Sequence, residues 1–163
     1  MEDVFTDIQR GKRLKTADHK RGRTPYASAT ARNNGIDGFI SNNAGVRIFD
    51  KCLSLANSGS VGACFYEPFE FVASDHITKL YNDQINKYSG LFIANVISRL
   101  SEKYSFNREI NDKRIRNETI ILPATKSGAP DYDYMEDTMR GIEIKQLRKY
   151  MRYCDSRLMP AST

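Results

Sequence analysis

Two carboxylates and a lysine near the C-terminus have an order that could support metal-dependent catalysis. Asp131 follows a proline, and Glu143 is followed by Ile144 and Lys145. This order resembles the PD-(D/E)xK nuclease pattern, in which the carboxylates hold Mg²⁺ and the lysine stabilises a phosphoryl transition state. That pattern requires strands, whereas Asp131 occupies a helix-cap position and Ile144 belongs to a helical stripe. A nuclease is therefore the weaker of the alternatives for this chain.

Other catalytic combinations fail on spacing. Ser74, Asp75 and His76 are neighbours on a predicted strand, so Asp75 points away from the other two and no triad forms. Cys52, Cys64 and His76 lack the spacing of a zinc site. The sequence has no glycine-rich S-adenosylmethionine loop and no N/D-P-P-Y/F tetrad. We predict no catalytic residue, no metal and no cofactor.

Basic side chains are concentrated in two segments. Residues 10–23 carry seven basic side chains against one acidic residue, and residues 102–118 mix both charges with Tyr104 and Phe106. The net charge of +5 is modest, but clustered charge is what produces an electrostatic footprint for a polyanion. Taken alone, each segment is equally consistent with a solvated loop.

The strongest strand signals lie between residues 53 and 80. Apolar residues alternate with small or polar ones at 53–56, 61–65 and 69–71, a period of two that is typical of half-buried strands. We predict three or four short antiparallel strands here. Upstream, residues 24–30 predict a strand at a sheet edge, because Pro25 cannot donate to a ladder. A turn at 32–35 follows, after which Ile36, Phe39 and Ile40 should enter the core.

Helices are predicted in the second half of the chain. Residues 86–100 are apolar over a wide arc and should form a buried helix capped by Asn86 or Ser89. A loop at 102–118 and a short strand at 119–122 follow. A second helix starts after Asp131 and is interrupted at Gly141. Beyond it lies a stripe with the spacing of a coiled-coil seam, which docks either on its own domain or on a partner: Ile144, Leu147, Met151, Cys154 and Leu158.

Length and composition bound the class of protein. The 163 residues favour one domain with an appendage, and the three cysteines lack C-x-x-C spacing, so reduced thiols are expected. No apolar run approaches the roughly 20 residues that span a bilayer. The acidic start is unlike a signal peptide, so a cytoplasmic location and no membrane contact are expected.

Several motifs together resemble a known family. In order, they are D-I-Q-R-G-K-R-L, G-R-T-P-Y-A-S-A-T-x-x-N-N-G-I-D-G-F-I, N-S-G-S-V-G, F-Y-E-P-F-E-F-V-A-S-D-H-I-T-K-L, L-F-I-A-N-V-I, K-Y-S-F-N-R, I-I-L-P and P-D-Y-D-Y-M-E. The chain thereby resembles the target-recognition domain of type I restriction-modification specificity (S) subunits over roughly residues 4–139. The resemblance implies an α+β fold, an irregular β-rich domain like a double β-helix at 1–140, and a spacer or dimerisation helix with its tail at 141–163.

The same resemblance implies a function without chemistry. An S subunit holds two such domains apart, each reading half of a bipartite site in double-stranded DNA, and docks methyltransferase (M) and restriction (R) subunits. This chain has one recognition domain and looks like a half-subunit, a truncated product or an excised domain. A homodimer through the C-terminal helix could imitate a full S subunit. The remaining alternative is an interaction scaffold in which the heptad stripe is the working surface.

On this interpretation the loops carry the DNA contacts. Base edges are read by arginine and asparagine, and the predicted readers are Arg32, Asn33, Asn34, Asn107 and Arg108, although Asn33 and Asn34 are also explained as builders of the turn. Ser58, Ser60, His76 and Tyr104 complete the predicted contacts from neighbouring positions. The predicted phosphate contacts are Lys12, Arg13, Lys15, Lys20, Arg21, Arg23, Lys113 and Arg114.

Overall fold

Eight strands form two four-stranded sheets in a mixed α+β fold. The computed structural model describes residues 1–105 and 107–158, with Leu158 described for its backbone alone. The predicted interface side chain of Leu158 therefore lies outside the described residues. The strands are β1 (Asp7–Arg10), β2 (Arg21–Ala27), β3 (Ile36–Ile40), β4 (Ile48–Phe49), β5 (Cys52–Ala56), β6 (Cys64–Glu67), β7 (Phe71–Ala73) and β8 (Ile77–Tyr81).

The first sheet is antiparallel and supports the main core. Its order is β1-β8-β5-β6, and all five residues of the central strand β5 are buried. Leu53 pairs with Leu80 of β8 and with Tyr66 of β6. Burying an aliphatic side chain such as Leu53 stabilises the fold by about 1.5–3 kcal/mol. The predicted antiparallel strands between residues 53 and 80 are thus confirmed for three of the four strands found there.

The fourth strand of that stretch corrects the prediction. β7 is not part of the first sheet and belongs to the second, whose strand order is β3-β2-β7-β4. There it pairs in parallel with β2, with Tyr26 opposite Val72 and Ala27 opposite Ala73. An alternating pattern shows that a strand is half-buried but does not specify its partner, so the all-antiparallel expectation was wrong for this strand.

β2 is an interior strand and not the predicted edge. It lies between β3 and β7 and already begins at Arg21, so Arg21 and Arg23 stand on a strand and not in a loop. Pro25 is tolerated because β7 pairs only with Tyr26 and Ala27, which follow it. Its missing N–H therefore falls outside the doubly paired part of the strand.

The helices are α1 (Lys87–Ser98), α2 (Asp112–Asn117) and α3 (Tyr132–Leu158), accompanied by short 3-10 turns at Thr16–Asp18, Asn33–Gly35 and Arg99–Glu102. The buried helix predicted at 86–100 is confirmed as α1. Asn86 forms a capping box, in which its side chain accepts from the Ser89 N–H and the Ser89 hydroxyl accepts from the Asn86 N–H. Ile93 and Ile97 are fully buried against the first sheet.

Three local predictions in the second half were wrong. Residues 119–122 form no strand, although Ile120 and Leu122 are partly buried against the main core. The loop at 102–118 contains α2. Gly141 does not interrupt α3, because one glycine costs a helix only about 1 kcal/mol relative to alanine.

The first part of α3 docks on α1 through charged and aromatic contacts. The Glu143 carboxylate accepts from Lys87 Nζ at 3.0 Å and from the Tyr88 hydroxyl at 2.7 Å. The Arg140 guanidinium lies 4.2 Å from the centre of the Tyr88 ring. Hydrogen bonds from Tyr88 and Lys87 lower the pKa of Glu143. The helix is therefore fixed to the domain up to this residue.

Beyond Glu143 the helix leaves the domain. Ile144, Leu147 and Met151 are 47%, 55% and 62% exposed. The alternative in which the heptad stripe docks on its own domain was thus wrong for these three residues, because nothing in the described part of the chain covers them. Despite its 27 residues, α3 is too polar to cross a membrane, and no other described helix meets that requirement.

Candidate nucleic-acid interface

Four loops meet at one end of the second sheet. Parallel strands end at the same edge, so the loop after β2 (residues 28–35) and the turn after β7 (residues 74–76) are neighbours. The Ser74 N–H donates to the Ala27 carbonyl at 3.0 Å and joins them. With residues 57–62, 105 and 107–111, these segments form what we name the loop rim.

Hydrogen bonds join the 28–35 loop of the rim to the 57–62 loop. The Ser60 N–H donates to the Ala29 carbonyl at 3.1 Å, and the Ala31 N–H donates to the Ser60 hydroxyl at the same distance. A Cβ at Gly59 would lie 2.6 Å from the Ala29 carbonyl oxygen, and its φ is +59°, so only glycine fits this approach. Ser60, which was predicted to contact DNA, therefore stabilises the turn that contains Arg32.

Asn57 of the 57–62 loop joins the turn at 74–76 to residues 107–111. Its N–H donates to the His76 carbonyl at 2.8 Å, and its carbonyl accepts from the Ile110 N–H at 3.0 Å. The Ser58 hydroxyl lies 2.7 Å from His76 Nδ1. Residues 57–58, 76 and 110, which are distant in sequence, thus lie side by side.

The turn at 32–35 presents two exposed side-chain amides. Asn33 and Asn34 have φ of 49° and 53°, a left-handed conformation that asparagine tolerates better than most residues. Both are exposed, and in the described structure neither side chain forms a hydrogen bond. The predicted turn is confirmed, and the amide donors and acceptors remain available for a ligand.

The second predicted reading loop rests on a buried anchor. The Glu118 carboxylate, 8% exposed, accepts from Lys103 Nζ at 2.8 Å and from the Tyr104 hydroxyl. Burial raises the pKa of Glu118, but these two hydrogen bonds outweigh burial and hold it below its usual value. The Arg108 guanidinium lies 5.5 Å from the centre of the Tyr104 ring. Asn107 and Arg108 are exposed beyond this anchor.

The predicted phosphate-contacting segment starts at the rim and runs away from it. The Lys12 N–H donates to the Ala73 carbonyl at 3.0 Å, beside the rim, whereas Lys20 bonds to Asn42 at the opposite end of β2. Six residue steps along β2 span roughly 20 Å. A Cβ at Gly11 would lie 2.0 Å from the Ser74 carbonyl oxygen, which explains the glycine beside Lys12. The residues predicted to contact phosphates are all exposed: Lys12, Arg13, Lys15, Lys20, Arg21, Arg23, Lys113 and Arg114.

Two predicted contact residues are buried, and one exposed cation was missed. Ser58 and Tyr104 are only 5% and 6% exposed, so their burial argues against direct contact and for a supporting role. Arg47 donates from its guanidinium to the Arg10 carbonyl, next to Lys12, and is exposed. It stands isolated among apolar neighbours, so no charge run in the sequence marks it.

The residues suspected of catalysis have structural roles. Asp131 caps α3 by accepting from the Tyr134 N–H at 3.0 Å, and Glu143 fixes α3 to α1. Ser74 to His76 form a turn and not the predicted strand. Burial raises the pKa of the Cys52 thiol to about 12, as expected for an inert core cysteine. Within residues 1–105 and 107–158, no three potential ligands are grouped to hold a metal ion.

These features define a class: a mixed α+β binding domain whose exposed chemistry is amide and guanidinium, with a projecting helix. Its sequence matches the family described as "Type I restriction modification DNA specificity domain" over residues 1–150. The chain belongs to this family.

Known proteins of this kind are similar in sequence or fold. The "Type II restriction enzyme BgcI specificity subunit S.BcgI" of Heyndrickxia coagulans is 39% identical over 149 residues, which cover 89% of this chain and 42% of the relative. The S subunit of a type I system from M. genitalium has a TM-score of 0.59 at 15% identity, over 96% of this chain and 44% of that chain.

A second solved structure, the HsdS subunit from Thermoanaerobacter tengcongensis, has a TM-score of 0.57 at 10% identity, over 95% of this chain and 38% of that chain. The present chain therefore spans less than half the length of these relatives. At such low identities the structural likeness establishes the fold alone.

Proposed function

We propose that this chain is the DNA target-recognition component of a restriction-modification system and is itself non-catalytic. The observation that carries the proposal is the loop rim, which brings free amide and guanidinium groups from distant segments onto one surface beside basic side chains. Membership of the specificity-domain family supports it independently. No described feature favours the nuclease alternative, since its two carboxylates are engaged in helix capping and helix docking.

The basic residues would supply affinity and the rim would supply specificity. Lysine and arginine neutralise phosphates and release counterions, so about six engaged cations give a log–log salt slope of roughly −5. Phosphate contacts fix the register of the protein but carry no sequence information. We assign base reading to Arg32, Asn33, Asn34, Asn107 and Arg108, with Ser60 and His76 beside them and the buried Ser58 and Tyr104 holding the loops.

Substitutions of one rim arginine and one remote lysine test this division. Arg108→Ala should change the preferred sequence at one position, because an arginine-to-guanine pair discriminates by about 1–3 kcal/mol. Lys15→Ala should weaken all sequences about equally and reduce the salt slope by about one. Selection from a random duplex pool, followed by salt titrations of the selected site, measures both. Equal, sequence-blind losses for the two variants would contradict the assignment.

We further propose that residues 1–140 read DNA and that residues 141–163 form a spacer through which two copies pair. Ile144, Leu147 and Met151 are exposed at heptad spacing, and exposed apolar stripes of this kind mark interaction sites. A closed two-fold dimer would carry two rims and predict a palindromic bipartite target. The same assembly would dock M and R subunits. Within each recognition domain, the two sheets would resemble a double β-helix.

The stripe is tested by oligomeric state. Leu147→Lys should convert dimer to monomer, because it places a charge in the seam, while the exposed Lys149→Ala should leave the dimer intact. Sedimentation equilibrium of the full chain measures both variants. A wild-type monomer at all concentrations would refute pairing, and equal dissociation of the two variants would refute the role of the stripe.

A further inference from the structure

Two phenylalanines are exposed on the second sheet. Phe39, expected in the core, is 58% exposed on β3, and Phe69, in the loop before β7, is 43% exposed. Pro25 lies directly opposite Phe39 in the β2–β3 register. Most other large exposed apolar side chains of the described residues lie on α3, away from this sheet. Single exposed apolar side chains are common, but adjoining ones form a patch of the kind that marks a binding surface.

Phe39 and Phe69 line one cleft of about 550 Å³. Asn33, Asn34 and the carboxylate-bearing Asp37 also line it, so the reading turn forms one of its edges. Arg32 adjoins this turn, and Arg23 is exposed on β2 two residues before Pro25. The cleft therefore combines aromatic walls, an amide and carboxylate edge, and cations nearby.

This combination suits a nucleobase and not a phosphate. Phenyl rings stack on the faces of bases, and amides and carboxylates pair with base edges, whereas Asp37 would repel a phosphate placed in the cleft. The neighbouring arginines match the phosphates on either side of such a base. Because both faces of a base inside a duplex are covered by neighbouring bases, a base can stack on these rings only after it leaves the duplex stack.

We propose that the cleft between Phe39 and Phe69 receives a nucleobase displaced from the bound duplex. The inference rests on the proposed DNA-binding function. Displacing a base costs stacking and pairing energy, and stacking on the two rings offsets part of this cost. The protein then discriminates by how easily a step unstacks, in addition to reading base edges.

The experiment uses the full chain with its selected duplex, in which 2-aminopurine replaces one base at a time. The fluorescence of 2-aminopurine rises when the base leaves the stack, so wild-type protein should raise it at one position. Phe39→Ala and Phe69→Ala should abolish this rise and weaken binding by about 5- to 100-fold, the range typical of lost base–aromatic stacking. Phe39→Tyr should retain the fluorescence rise and the binding affinity, because it keeps the aromatic ring.

Ile121→Ala is the matched control. Ile121 is 88% exposed and lies outside the cleft, so its substitution should leave the fluorescence rise unchanged. Duplex binding by wild-type protein without a rise at any position would overturn this inference alone, as would a rise that survives both alanine variants. Failure of wild-type protein to bind any duplex would contradict the proposed function and this inference with it.

Discussion

Glu118→Ala should lower the free energy of unfolding by about 3 kcal/mol. The substitution leaves the Tyr104 hydroxyl buried without its acceptor and removes both oxygens that Lys103 contacts. A buried hydroxyl without a partner costs about 1–3 kcal/mol, and loss of the charge-assisted contacts adds to this. Urea unfolding at neutral pH measures the effect. Since Tyr104 also lies under Arg108, sequence-specific DNA binding should weaken more than the phosphate-driven component.

A double-mutant cycle separates the anchor from general destabilisation. Tyr104→Phe in the Glu118→Ala background should cost less than Tyr104→Phe alone, because the orphaned hydroxyl is removed. Glu102→Ala is the control: its carboxylate pairs with Arg99 at 3.8 Å on the surface, where such pairs contribute about 0–1 kcal/mol. If Glu118→Ala and Glu102→Ala cost the same, the buried anchor does not exist.

Glu67→Gln should remove a pH-dependent loss of stability. Glu67 on β6 is 1% exposed, and burial raises its pKa to about 7, although the Ser54 hydroxyl donates to it at 3.0 Å and opposes this rise. Below about pH 4.5 the folded and unfolded states both hold the proton. Between that pH and 7 only the folded state holds it, so stability falls as pH rises. Above pH 7 the full penalty of about 3 kcal/mol is present.

The measurement compares unfolding free energies at pH 5 and pH 8. Relative to wild type, Glu67→Gln should gain about 2.5 kcal/mol in the difference between the two conditions, because glutamine cannot ionise and part of the penalty is already present at pH 5. Glu70→Gln, in the neighbouring exposed loop, should show no such gain. A Glu67→Gln variant that tracks wild type at both values would show that the carboxyl group is ionised in the fold without penalty.

Local chemistry in the sequence was enough to predict several elements. The capping side chains of Asn86 and Asp131 act within three residues, so they mark helix starts without knowledge of the rest of the fold. The turn at Asn33 and Asn34 is equally local. Gly141 was misjudged because the cost of one glycine was weighed without the docking of α3 on α1.

The rest of the fold depends on pairings between distant segments. The antiparallel expectation was wrong for β7, because its parallel partner β2 is separated from it in the chain by four other strands. The exposure of Phe39 on the edge strand β3 was missed, since the sequence pattern cannot tell which face of a strand remains uncovered. For the candidate site, exposed basic residues were predictable from clustering, whereas the burial of Ser58 and Tyr104 follows only from the meeting of four loops.

The construction of the loop rim bears on how new target sequences could evolve. The loops are held by backbone bonds at Ala29, Asn57 and Ile110, so the side chains at the outer positions can change at little cost to folding. The outer positions are not equally free to accept new side chains. The left-handed φ of Asn33 and Asn34 restricts those positions to asparagine, glycine and a few others, whereas Arg32 has an extended backbone that accepts any side chain. Diversity among natural variants should therefore concentrate at position 32 and at 107–108.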